Sequence, residues 1–165
     1  YLISEKKYCV ADFWNSGVLV NGCIAYGRRG GYFYIDWNGN IMPCVFVPYF
    51  VDNVYDLYNN DKSLVEALFS GFMKKGREWI RRYGQAYPKN PNNWLMPCSI
   101  RDHYENFRKN ILPTHAEGEN KEASLSLQDD EYYRRLIQYD KKLENLTQDI
   151  WAEEYLEKEK ETINK

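Results

Sequence analysis

Between Tyr32 and Trp37 two sets of side chains alternate, with Tyr32, Tyr34 and Asp36 on one side and Phe33, Ile35 and Trp37 on the other. A period of two is that of a β-strand with unlike faces. Asn38-Gly39 follows, a pair that tolerates the positive φ angles of a type I′ turn, so a hairpin is expected here. Asn40, Ile41 and Met42 open the return strand, and Pro43, which has no N–H to give to a ladder, delivers Cys44 to its end. Cys44 to Val47 is expected to continue the second strand until Pro48 stops it.

Beyond Asn59-Asn60-Asp61 the period lengthens. Ser63 and Glu66 fit a capping box, and Leu64, Ala67, Leu68, Phe72, Trp79 and Ile80 recur at helical spacing. Gly71 and Gly76 weaken that helix or allow it to break. Lys74, Lys75, Arg77, Arg81 and Arg82 read as a solvated basic face, with a partner-docking surface as the alternative. Asn15-Ser16-Gly17 and the stretch from Pro88 to Asn93 read as turns and loop, and a short helix is expected from about Ile100 to Ile111. Farther on, Leu136, Tyr139, Leu143, Leu146 and Ile150 step by three and four along a charged helix. That stripe is expected to pack onto the domain or onto a partner, and the end beyond Leu156 to fray. The fold class is therefore α+β: a small antiparallel β-hairpin sheet followed by helices, with a helical C-terminal extension. Residues 1–111 form the main domain, 112–127 a linker and 128–165 the extension.

Composition sharpens this picture in two ways. Aromatic residues make up 16% of the 165, led by fifteen Tyr, which suits a small, wet core whose hydroxyls find polar partners, or a docking surface. The net charge of −2 points to neither nucleic acid nor an anionic membrane. No apolar run approaches membrane-spanning length and no signal peptide opens the chain, so a cytoplasmic location is expected. The first residue is Tyr rather than Met, which is compatible with a fragment of a longer polypeptide.

The candidate chemistry lies in Cys9, Cys23, Cys44 and Cys98. An even count permits two disulfides, but these favour short secreted chains. Four thiolates also suit one metal centre, and buried unlinked thiols are the remaining reading. Thirteen, twenty and fifty-three residues separate successive cysteines, with no Cys-x-x-Cys pair of the kind that zinc knuckles use. Ligands so far apart must be gathered by tertiary structure, which favours a larger iron–sulfur object over a single zinc ion. Gly27-Arg28-Arg29-Gly30-Gly31 is either a flexible connector or a loop whose N–H groups and arginines approach an anionic centre. His103, beside Asp102 and Glu105, reads as a surface residue, and His115 as part of the linker.

Cys23, fifteen residues, Gly39, four residues and Cys44 make the pattern Cys-x(9–15)-Gly-x(4)-Cys. This resembles the opening motif of SPASM and twitch domains, the C-terminal auxiliary-cluster domains of radical SAM enzymes. The stretch from Tyr34 to Pro48 is similar to their hairpin, and the helix from Leu64 to Phe72 to the helix that follows it. The resemblance covers about residues 9–104 and implies that Cys9 and Cys98 complete the ligand set of one auxiliary [4Fe–4S] cluster with Cys23 and Cys44. Arg28, Arg29, Gly30 and Gly39 would then form the cluster's environment. The middle cysteine motif of full SPASM domains is missing, so a one-cluster, twitch-like form is implied. The Cys-x(3)-Cys-x(2)-Cys motif of the radical SAM core is missing too. By resemblance, that core and its S-adenosylmethionine lie N-terminal to Tyr1 in the same polypeptide, acting on an unknown substrate. The chain itself would serve electron transfer or structural support without catalysing a reaction alone. The alternatives are a structural zinc-binding module and a metal-free, Tyr-rich protein-interaction module.

Overall fold

A hairpin forms where the alternation places it, but around a different turn. Strands β1 (Tyr34–Ile35) and β2 (Asn40–Met42) pair antiparallel, with Tyr34 opposite Met42 and Ile35 opposite Ile41. The Asp36 N–H then donates to Asn40 O, leaving Trp37, Asn38 and Gly39 as a three-residue loop. Only Gly39 in that loop has a positive φ, +83°, so it is a type I turn closed by a left-handed glycine rather than a type I′ turn. The cause is Asp36. Its carboxylate accepts the Asn38 and Asn40 backbone N–H groups at 2.8 and 2.9 Å and the Asn40 side-chain amide at 2.9 Å.

The computed structural model describes residues 5–6, 17–18, 20–85 and 92–156. Cys9, the Asn15-Ser16 turn, the loop at Pro88 and Pro91 and the end beyond Leu156 lie outside them. Strand β3 (Tyr49–Phe50) precedes β4 (Asp52–Asn53), which pairs with β2 to give a three-stranded antiparallel sheet in the order β1-β2-β4. Cys44 to Val47 is a turn rather than strand, closed by the Val47 N–H on Cys44 O. Pro43 ends the ladder, and its carbonyl accepts the Tyr26 N–H at 3.0 Å, tying the preceding loop to the hairpin.

Helix α1 (Val54–Asn59) is capped by Asn53, whose side chain accepts the Tyr55 N–H. The single helix expected from Leu64 is two: α2 (Leu64–Leu68) and α3 (Gly71–Ile80), which runs into a wider π-type turn at Arg81–Gln85. The break falls at Phe69-Ser70 and not within α3 at Gly76. Ser70 makes it, because its hydroxyl accepts the Met73 N–H and starts a new helix, whereas Ser63 makes no side-chain cap bond. Arg77 also departs from a purely solvated face, since its guanidinium donates to Tyr26 O at 2.8 Å. The helix expected from Ile100 begins later, as α4 (Tyr104–Asn106) followed by a π-type turn at Phe107–Ile111. Residues 98–102 are held in a turn by the Asp102 N–H on Cys98 O.

The stretch expected as a linker, 112–127, carries structure of its own. Strand β5 (Glu117–Gly118) pairs with β3, and α5 (Lys121–Ser126) is capped by Asn120. Two-residue strands leave no period to read, and the β3–β5 pairing is non-local. The chain ends in α6 (Asp130–Ile150), capped by Asp129. Its inward contacts include Tyr133 and Leu136 on the core, Tyr132 edge-on to Tyr104, Asp140 on the Tyr104 N–H and Thr147 on Asn93. Tyr139, Leu146 and Ile150 of the expected stripe remain 43%, 61% and 45% exposed. A straight helix turns 3.6 residues at a time, so a stripe repeating every seven drifts off a flat contact face. Trp151, just beyond, is buried against Trp94 at 5.4 Å between ring centroids.

The core is aromatic. Tyr26 meets Phe72 edge-on, Phe72 meets Phe107, and Phe107 meets Tyr49 and Tyr104, all at 6.0–6.4 Å. The buried hydroxyls are satisfied, Tyr26 by Ser99 Oγ at 2.7 Å and Tyr49 by Ser126 Oγ at 2.8 Å, as a Tyr-rich core requires. Among the described residues no helix is long and apolar enough to cross a membrane.

Candidate metal centre

Three separate segments converge on one cavity. Cys23 follows Asn21 and Gly22, whose φ angles of +54° and +94° turn the chain sharply before it. Cys44 begins the turn after β2, and Cys98 opens the turn that leads to α4. All three line a cavity of about 110 Å³, together with Tyr32, Phe46 and Pro97. A water molecule needs only about 10–15 Å³ by the same kind of measure, so this space is far larger than one small ion or water fills. None of the three is in a disulfide. No group of three or more His, Cys, Asp or Glu side chains among the described residues is drawn together as a single metal ion requires.

Each sulfur faces a donor. The Ala25 N–H reaches Cys23 Sγ at 3.5 Å, the Phe46 N–H reaches Cys44 Sγ at 3.5 Å, and the Arg101 N–H reaches Cys98 Sγ at 3.4 Å. Tyr32 Oη lies 2.9 Å from Cys44 Sγ. Burial pushes the Cys23 thiol up to about 11 and the Cys98 thiol up to about 12, and raises Cys44 as well. At neutral pH these are protonated thiols. An isolated thiolate here is costly, so losing the protons requires positive charge to arrive with their departure.

Arg28 supplies part of that charge. Its Nη2 donates to Val20 O at 2.8 Å, its Nε is buried without a partner, and its charge favours the Cys23 thiolate. Arg29 and Gly30 are exposed, and a Cβ added to Gly30 would touch nothing. Of the two readings of this loop, an approach of its N–H groups to sulfur does not hold for Gly27, Arg28 and Gly31, which donate to Tyr32 O, Ala25 O and Arg28 O. Gly39 sits at the hairpin tip against Tyr55 and acts through the turn, not the cavity. His103 is no surface residue. Its ring packs against both Trp79 and Tyr83, which stack on each other, and its Nε2 is 2.9 Å from Met96 O.

No protein-family model, curated protein or solved structure matches this chain. Its own geometry must carry the interpretation.

Two residues that the spacing of cysteines does not reveal complete the site. Asp102, fully buried, accepts the Cys98 N–H at 2.9 Å and pairs with Arg101 through both side-chain oxygens. Tyr32, on the Asp36 side of the alternation, reaches the cavity that the glycine loop does not. A larger cavity of about 330 Å³ beside α6 is lined by Tyr83, His103, Asp140 and Glu144, with no cysteine among its lining residues. The buried unpartnered atoms there, Asp140 Oδ1 and Asn106 Nδ2, are closed off from solvent.

Proposed function

We propose that the chain binds one iron–sulfur cluster through Cys23, Cys44 and Cys98, with Cys9 as the fourth ligand. In this reading it is the auxiliary-cluster domain of a radical SAM enzyme. The observation that carries the proposal is the lining of one cavity by three cysteines drawn from positions 23, 44 and 98. Three further features support it. The three cysteines line one space and come from separate segments, which suits a polynuclear object whose metals each take a different thiolate. Backbone N–H groups already face each sulfur, and the buried Nε of Arg28 offers unspent positive character. When bound, the cluster supplies a one-electron redox centre.

The chain's own residues perform the rest of the task. The Asn21-Gly22 turn, Pro43 and the Asp102 turn aim the three sulfurs. Phe46 and Pro97 line the cavity with apolar surface that limits water. Arg28 offsets the negative charge of about −2 that four thiolates on an oxidised cubane leave. With every iron held by cysteine, no position is left for substrate, so the role is electron transfer or support of the catalytic core.

Anaerobic reconstitution of the chain with iron and sulfide tests this. The expected result is about four irons and four sulfides per chain with broad visible absorption. Cys23→Ala, Cys44→Ala and Cys98→Ala should each lower that content. A colourless chain that takes up one zinc, or one that keeps its thiols free and its thermal stability unchanged, would overturn the proposal.

A further inference from the structure

The sulfur contacts are not equivalent. Among the described residues, backbone N–H groups approach the sulfurs at 3.4–3.5 Å, while a phenol lies 2.9 Å from one of them. We propose that Tyr32 tunes the centre: its hydroxyl donates a hydrogen bond to Cys44 Sγ and raises the reduction potential of the cluster held there. The inference rests on the cluster-binding reading above. Its direction follows from chemistry. A metal-bound cysteine sulfur carries no proton, so within this pair the hydroxyl must be the donor. Reduction adds negative charge that spreads onto the sulfurs, so a donor to sulfur stabilises the reduced state more than the oxidised one.

The backbone holds Tyr32 in place for this role. Its N–H donates to Ile24 O at 3.0 Å and its C=O accepts the Gly27 N–H at 2.9 Å, which fixes the residue to the segment that carries Cys23. Tyr32 lines the same cavity as Cys23, Cys44 and Cys98, so the residue borders the whole centre. Tyr26 is buried in the adjoining core, and its hydroxyl bonds Ser99 Oγ. Removing the Tyr26 hydroxyl therefore takes a hydrogen bond from Ser99, whereas removing that of Tyr32 takes one from Cys44. Tyr32 is a positioning residue for charge at Cys44, not a ligand.

The test is potentiometry on the anaerobically reconstituted chain, with iron and sulfide counted in every sample. Tyr32→Phe is expected to keep its cluster and shift the midpoint potential to a more negative value. Tyr26→Phe should leave the potential where it is. Incorporation of 3-fluorotyrosine at position 32 keeps the hydroxyl, makes it a stronger donor, and should shift the potential upward. This arm decides the matter if the phenylalanine variant fails to load. A loaded Tyr32→Phe with an unchanged potential, equal shifts in the two phenylalanine variants, or no upward shift with fluorotyrosine overturns the role of Tyr32 and leaves cluster binding intact. Failure of the unsubstituted chain to take up iron and sulfide overturns both.

Discussion

Gly76 and Tyr26 are in contact across fifty residues of chain, and a Cβ added to Gly76 would lie 2.0 Å from Tyr26 Cδ1. Tyr26 has no exposed surface, and its own φ of +62° is one that a bulky residue rarely adopts. It cannot retreat, because Ser99 holds its hydroxyl and Arg77 and Pro43 hold its backbone. Gly76→Ala gains about 1 kcal/mol of helix propensity. Overpacking a closed core costs about 1–3 kcal/mol or more, so the clash wins. The variant should be less stable by about 1–2 kcal/mol in urea titrations. Gly71→Ala is the contrasting case, since nothing lies within 4 Å of the added carbon and φ is not positive. It should gain a few tenths to about 1 kcal/mol.

Asp36 sets the geometry of the loop that leads into β2, the strand before Cys44. It is 5% exposed and accepts three hydrogen bonds that shape the loop before β2. Asp36→Ala leaves two backbone donors and one amide without their acceptor, at a cost of about 2–4 kcal/mol. Asp36→Asn retains one acceptor oxygen and should lose less. Because β2 leads directly to Cys44, the Ala variant should also take up less iron on reconstitution than Gly76→Ala does at equal stability. Equal iron content at matched stability would detach the hairpin turn from the aim of Cys44.

Much of the architecture is visible in local pattern, and the departures have local causes. The alternation from Tyr32 to Trp37 marks the hairpin, but its register moves by one residue: a two-residue Asn38-Gly39 turn would set Ile35 opposite Met42, whereas Ile35 faces Ile41, because Asp36 and Gly39 together favour the longer loop. The site is legible only where its signals are covalently simple. A cysteine's position can be read, and a glycine's φ can be suspected. Which N–H faces a sulfur depends on how turns close, so the loop from Gly27 to Gly31 looks more important than Ala25, Phe46 and Arg101, which make the contacts. Asp102 hides for the same reason: four residues past Cys98, it resembles any surface acid until the turn folds back on itself.

That acid is expected to restrain Cys98 both sterically and electrostatically. Asp102 is buried, its Oδ2 accepts the Cys98 N–H, and its negative charge helps to raise the Cys98 thiol. Asp102→Asn removes the charge and keeps an acceptor, so in the metal-free chain Cys98 should be alkylated faster at a given pH. Asp102→Ala also frees the turn and strands Arg101, so alkylation should be faster still, with a stability loss of about 2–4 kcal/mol. Peptide mapping after timed treatment with iodoacetamide reads the rate at Cys98 alone. Unchanged rates in both variants would separate Asp102 from the cysteine.

Asp140 gives the fold a pH dependence that is independent of any metal. Burial pushes its carboxyl from 3.8 up to about 6, with the Tyr104 N–H on Oδ2 as only a partial offset. The folded chain therefore holds this proton more tightly than the unfolded chain does. The resulting stability is present below about pH 4 and is lost as pH rises through about 6. Two pKa units correspond to about 3 kcal/mol, and a partly buried group beside screening solvent delivers about 1 kcal/mol of that. Asp140→Asn keeps an oxygen for the Tyr104 N–H and carries no charge at any of these pH values. Relative to the unsubstituted chain it should gain about 1 kcal/mol between pH 4 and pH 7.5 in paired urea titrations. A difference that stays constant across that range would mean that Asp140 titrates like an exposed carboxylate and that α6 docks without a charge penalty.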